Sequence, residues 1–270
     1  MSYDNLFWGD TDTPNHSQWR IKAENLLEDR NIFKATANKY FPLGAIAESR
    51  DGRRFRYSKN GAVALTKALV NQGAAGTSDW QDEIQTNNPS LPTAGDKVIT
   101  VTMTATATKN QFIDGYLTVE QGTGYNEMYI IKGNKAGVAN ATSGYDIEIE
   151  IADAGGIRTA FAVTSNITVT LNKYDSVIEA DADPTNVLTG VSLVDVTSGY
   201  YFWSQVKGPA PVTCDDTDTI VVGDMVDVSA DATIPGAIAL ADAAADDHIV
   251  GLCMRACATS ETALIDLKIE

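Results

Sequence analysis

Between Ile99 and Thr108 apolar and polar residues alternate without a break: Ile99, Val101, Met103, Ala105 and Ala107 fall on one side, and Thr100, Thr102, Thr104, Thr106 and Thr108 on the other. Period two over ten residues predicts a strand with one buried and one wet face. Shorter β-branched or aromatic runs recur along the chain: Ile113 to Val119, Met128 to Ile131, Tyr145 to Ile151, Asn166 to Leu171, Val187 to Val196 and Tyr200 to Val206. Each is bounded by turn residues, with no convincing helical period between them, which predicts an antiparallel sandwich or barrel. The C-terminal stretch continues the pattern with runs Thr219 to Val222, Met225 to Val228, Ile249 to Cys253 and Ala263 to Ile269, punctuated by Gly223-Asp224 and Pro235-Gly236. That spacing predicts a small, closed or sandwiched β-unit.

The first seventy residues follow a different pattern. Trp19, Ala23, Leu26, Phe33, Ala37 and Tyr40 recur at helical intervals after Ser17, a good N-cap, so a short helix is expected, with a break near Asp29 and Asn31. Asp51-Gly52, between Ala45 to Ser49 and Arg53 to Tyr57, signals a hairpin with a type I′ turn. The expected fold class is therefore mainly β. An extended N-terminal arm with a short helix and hairpin (1–72) leads through a Gly-, Asn-, Thr- and Pro-rich linker (73–95) to an antiparallel β-sandwich or barrel (96–208). A small C-terminal barrel-like unit (209–270) closes the chain, with a hinge expected at Gly208-Pro209.

Charge changes the picture in two ways. The net charge of -16 disfavours nucleic acid and anionic membrane as partners. It is also uneven: residues 1–67 hold 11 Lys and Arg against 8 Asp and Glu, while the remainder holds 9 against 28. Only the arm and hairpin could be drawn to an acidic protein surface. No apolar run reaches the ~18 residues of a membrane span, and Met1 to Asp10 lacks the basic start and apolar core of a signal peptide, so neither is expected.

Candidate chemistry is thin. His16 lies in the arm and His248 follows Asp246-Asp247, and neither sits in a Ser-His-Asp or Cys-His pattern. Cys214, Cys253 and Cys257 are odd in number, which favours buried thiols made in a reducing cytoplasm over a disulfide framework; with His248 they could form a zinc site, but only Cys253 and Cys257 have ligand-like spacing. The acidic groups Glu179-Asp181-Asp183, Asp215-Asp216-Asp218 and Asp242-Asp246-Asp247 lack the Gly and distal Glu of a calcium loop. Gly122 to Gly124 and Gly155-Gly156 lack the context of phosphate loops. The expectation is a protein that is not an enzyme, with no catalytic residue, metal or cofactor.

Three stretches carry a resemblance. VVGDMVDVSADATIPGAIALADAAADDHIVGLCMRACATSETALIDLKI (Val221 to Ile269), with its G-D-x-V pair, P-G-A bend, V-G strand and closing A-x-I-x-L strand, resembles the small β-domain of auxiliary head proteins, the decoration or cement proteins of tailed double-stranded DNA bacteriophages. DGRRFRY followed by NGAVAL resembles the amino-terminal region of phage virion proteins, and the Y-x-W-x-Q-x-x-G-P stretch within Ser198 to Val212 resembles the strand before their last β-unit. The resemblance implies a structural virion protein, made in the host cytoplasm, that binds the outer surface of the head through the major capsid protein and stabilises it as a homo-oligomer, a trimer. The expected capsid-binding residues are Trp8, Trp19, Arg20, Arg50, Arg53, Arg54, Arg56 and Lys59. The alternative is another virion part: a tail-tube, head-fibre or host-glycan-binding adhesin protein.

Overall fold

The computed structural model describes residues 20–23, 26, 31–76, 78–182, 184, 186–215, 219–230, 233–241 and 248–270. The chain divides into two compact units: the residues up to Ala75 together with Lys173–Glu270, and Gly76–Asn172 inserted between them. Both are mainly β, as the strand periods lead one to expect. The boundaries differ from those expected: the segment 96–208 is cut at 172/173, and its last strands belong with the hairpin and the C-terminal strands.

In the first unit, Arg20–Lys22 (β1) runs parallel to Ile46–Glu48 (β2), and β2 turns into Arg54–Lys59 (β3) before Val70–Gln72 (β4). The expected hairpin is present, but its turn is not type I′. Gly52 donates its N–H to Ser49 O, Ser49 N–H returns to Arg53 O, and within the loop only Gly52 has a positive φ, at 84°. A three-residue loop ending in a left-handed Gly achieves the reversal without placing Asp51 in that region. The Trp19 end of the expected helix lies outside the described residues. Arg20–Lys22 is a strand, and residues 31–42 are turns with Phe33 exposed. The Asn31 side chain accepts the Phe33 N–H, the local bond by which Asn competes with a helix.

The inserted unit contains Glu83–Ile84 (β5), Val98–Met103 (β6), Tyr116–Gln121 (β7), Met128–Asn134 (β8), Val138–Ala139 (β9), Tyr145–Ile151 (β10) and Asn166–Thr170 (β11). Its curled antiparallel sheet has the order β5-β11-β7-β8-β10-β6, around a core of Ile99, Val101, Phe112, Leu117, Tyr129, Ile147, Ile149 and Ile167, with Trp80 edge-on to Phe112. The expected ten-residue strand stops at Met103. Its partner β10 begins at Tyr145, opposite Met103, and the Thr104 N–H goes instead to Glu83 Oε1 at 2.8 Å. Gln85 joins the two ends of the curl: its backbone N–H bonds Ser165 O, and its side-chain amide both accepts from Thr102 N–H and donates to Thr102 O.

Back in the first unit come Ile178–Glu179 (β12), Leu188–Ser192 (β13), Tyr201–Thr213 (β14), Met225–Val228 (β15), Ile238–Leu240 (β16), Gly251–Arg255 (β17) and Thr262–Lys268 (β18), in the sheet order β1-β2-β3-β14-β18-β17-β15-β16. β14 runs straight through the expected Gly208-Pro209 hinge. Its first half pairs with β3, from Tyr201↔Lys59 to Lys207↔Arg54, and its second half with β18, from Lys207↔Lys268 to Thr213↔Thr262. The buried Gln205 side chain donates to the carbonyls of Lys207, Gly208 and Pro209 and so holds the irregular point in the strand. Thr219 to Val222 is not a strand; Ile220 makes only an isolated bridge to Cys257, beside a turn at Gly223.

Candidate interaction surface

The hairpin is the segment the sequence singled out, and its chemistry follows from the alternation along β3. Phe55 and Tyr57 point inward and are buried with Ala47 and Trp203, Tyr57 lying 5.1 Å from the Trp203 ring and stacked on Tyr201 at 5.8 Å. These aromatics are core, not a platform for stacking bases. Arg54 and Arg56 fall on the opposite face, and Arg50 is exposed at the turn.

The cations meet carboxylates of their own chain. Arg53 Nε is 2.8 Å from Asp51, Arg54 is 2.8 Å from Glu48 across the hairpin, and Lys59 is 3.2 Å from the buried Asp175. Arg56 reaches furthest: Nε and Nη2 donate to Glu270 Oε2 at 2.7 and 2.5 Å, and Nη1 donates to Gly44 O. The expected net-positive patch is therefore largely compensated, because acids from β2, from the loop before β12 and from the far end of the sequence fold onto it. Trp8 and Trp19 lie outside the described residues, and Arg20 is placed only as the first residue of β1.

Glu270, which no sequence pattern marked, is the centre of the best-built polar cluster. It also accepts from Tyr174 Oη at 2.5 Å and from Lys173 Nζ at 3.2 Å. Burial alone would raise its carboxyl, but the Tyr174 and Arg56 hydrogen bonds and the charges of Arg56 and Lys173 prevail and hold it below the usual carboxylate range. At the turn, the Ser49 hydroxyl bonds the Asp51 carboxyl and, with Arg53, lowers it against slight desolvation. Every group in these clusters already has its partner, so what the arrangement does is fasten Glu270 to β3 and Tyr174.

A second polar cluster lies in the inserted unit. Tyr129 donates to Glu127, which also accepts from Thr159 Oγ1 at 2.7 Å, while the Arg158 guanidinium lies 4.5 Å over the Tyr129 ring. Burial first, and the Glu127 hydrogen bond next, raise the Tyr129 hydroxyl. Glu127 is lowered, since the hydrogen bonds from Thr159 and Tyr129 outweigh its desolvation.

The remaining candidates fall as follows. Cys214 and Cys257 form a disulfide, which corrects the expectation of three buried thiols, and only Cys253 is a free, buried thiol, raised by desolvation. The pairing takes Cys214 and Cys257 out of the zinc set. Glu179 accepts from the Thr66 N–H, Asp181 from the Gln72 side chain and Asp215 from Ser229; among the described residues no three His, Cys, Asp or Glu side chains converge. Asp183, Asp216, Asp218, Asp242, Asp246, Asp247 and His16 lie outside the described residues. No helix among the described residues is long and apolar enough to cross a membrane. Comparison with known proteins finds no family model, no curated protein and no solved structure that matches the chain.

Proposed function

We propose that this chain is an auxiliary protein of a tailed-phage head, which binds the outer surface of the major capsid protein as a homo-oligomer and stabilises the shell. The observation that carries the reading is the placement of the three stretches that resemble such proteins. The inserted unit separates DGRRFRY in the sequence from the other two, yet all three lie in neighbouring strands of one sheet, β3-β14-β18-β17-β15-β16. The turn residues that support the resemblance thus serve a single module.

Two further features fit adhesion. β1 is the outermost strand of that sheet on its side and is held to β2 over three residue pairs. An arm joined to a rigid body gains affinity by engaging a neighbour when its subunit is already bound, and binding only the assembled lattice stabilises that lattice by mass action. Because the hairpin arginines are compensated, the contact falls to backbone pairing and apolar residues of the arm, Trp8 and Trp19 among them, rather than to a bare positive patch.

Immunogold labelling of particles purified from the producing host tests this. Label distributed over heads supports the reading. Label confined to tails or fibres selects the alternative virion role, and particles that carry no label overturn both.

A further inference from the structure

The strands at the end of the first unit turn one face inward and carry exposed residues on the other. Inward are Val226, Cys253, Ile265, Leu267, Ala210 and Val212, all within one buried cluster. The register then fixes what lies outward. Met225 stands opposite Leu252, Leu252 opposite Asp266, and Asp266 opposite Pro209. In the next row Leu264 faces Pro211 on one side and Arg255 on the other, with Met254 at the irregularity between Cys253 and Arg255. Met225, Leu252 and Met254 are 49, 39 and 48% exposed, so this outer face is a band of thioether, leucine and proline in an otherwise acidic chain. The strands can lie so close because residue 251 is Gly: a Cβ there would come within 2.3 Å of Asp266 O.

The charges around the band select its occupant. Lys207, Arg255, Asp266 and Lys268 lie on these strands, and Asp224 and Glu261 directly precede β15 and β18, three charges of each sign in a molecule that carries 36 acidic and 20 basic residues. Asp266 and Lys268 bond one another at 2.7 Å. A strongly basic partner finds no net negative field here, and a strongly acidic one no net positive field. A second copy finds an apolar centre matching its own and a rim that can set each sign against the other. Elsewhere the net charge of -16 drives two copies apart. We infer that the outer face of β14, β18, β17 and β15 is the surface on which two copies of this chain pair, related by a twofold axis. A twofold, self-complementary contact yields pairs, whereas the resemblance implies a trimer. Methionines at the contact supply side chains that adapt to their own image.

The inference deepens the homo-oligomer of the proposed function and is tested without capsids, so its failure leaves the labelling result standing. Sedimentation equilibrium of the purified full chain is expected to give a dimer, and Leu252→Asp with Met254→Asp to give a monomer with an unchanged circular dichroism spectrum. Met128→Asp with Ile130→Asp, at two exposed positions of the inserted unit, is the charge-matched control and leaves the dimer intact. If the Asp pair disturbs folding, Leu252→Gln with Met254→Gln weakens the dimer at least tenfold. A wild-type chain that stays monomeric at about 0.1 mM overturns the inference. So does a trimer, or a folded double variant that remains dimeric.

Discussion

Glu270 shows what one side chain can do when three partners converge on it. Its carboxylate satisfies Arg56, Lys173 and Tyr174 while only 17% exposed, so removing its charge leaves two cations and a hydroxyl short of an acceptor. Glu270→Gln is expected to lower stability by about 1–3 kcal/mol, the cost of unpairing buried charge-assisted bonds. The carboxyl is depressed in the folded chain, so its contribution is present above the ordinary carboxylate value of about 4.3 and is lost as pH falls through the lower folded value. Thermal melts from pH 7 to pH 3 should show wild type losing stability below about pH 4, with Glu270→Gln losing less over that interval. An identical acid slope in the two proteins would mean that Glu270 is not the group responsible. Nothing in the sequence marks this residue, because its partners lie 214, 97 and 96 positions away and no local period reports such distances.

Among elements, those specified by neighbouring residues were legible and those specified by distant ones were not. Tyr145 to Ile151 reads as a strand and is one, and Asp51-Gly52 reads as a reversal and is one, because alternation and turn chemistry are local. The length of β14 and the early stop of β6 depend on what the rest of the chain offers as a pairing partner. Gln85 is the clearest case. Its fully buried amide takes the place of a strand along β6 by accepting from and donating to the backbone of Thr102, while Asn88 Nδ2 bonds Thr100 O beside it. A side chain occupying a sheet edge blocks pairing with another chain. Gln85→Ala should cost the inserted unit about 2–3 kcal/mol for two orphaned backbone groups, and it should speed hydrogen exchange at the Thr102 amide while leaving Ile147 and Ile149, which pair with Val101 and Ile99 between β10 and β6, protected. Unchanged exchange at Thr102 would count against this role for Gln85. The candidate site was legible to the same degree: composition and the Asp-Gly turn pick out the arginines, but not the acids that compensate them.

For the whole molecule, the insertion predicts how the chain comes apart. Each unit has its own buried cluster, centred on Phe112, Tyr129 and Ile149 in the inserted unit and on Val226, Ile265 and Trp203's neighbours in the flanking one, so each can lose its structure as a cooperative block. The Cys214–Cys257 disulfide belongs entirely to the flanking unit and joins residues 43 positions apart. Closing a loop of that length restricts the unfolded chain by about 4 kcal/mol in the entropic account, and both cysteines are buried in the same apolar cluster as Cys253. Differential scanning calorimetry is therefore expected to resolve two transitions. Reduction, or Cys214→Ser with Cys257→Ser, should lower one by several degrees and leave the other in place, and the unmoved transition should match that of Gly76–Asn172 expressed alone. The Arg56 and Glu270 cluster lies in the flanking unit as well, so acid should shift the same transition that reductant shifts. A single transition that moves as a whole under reductant would show that the two units unfold as one and that the insertion is not energetically separate.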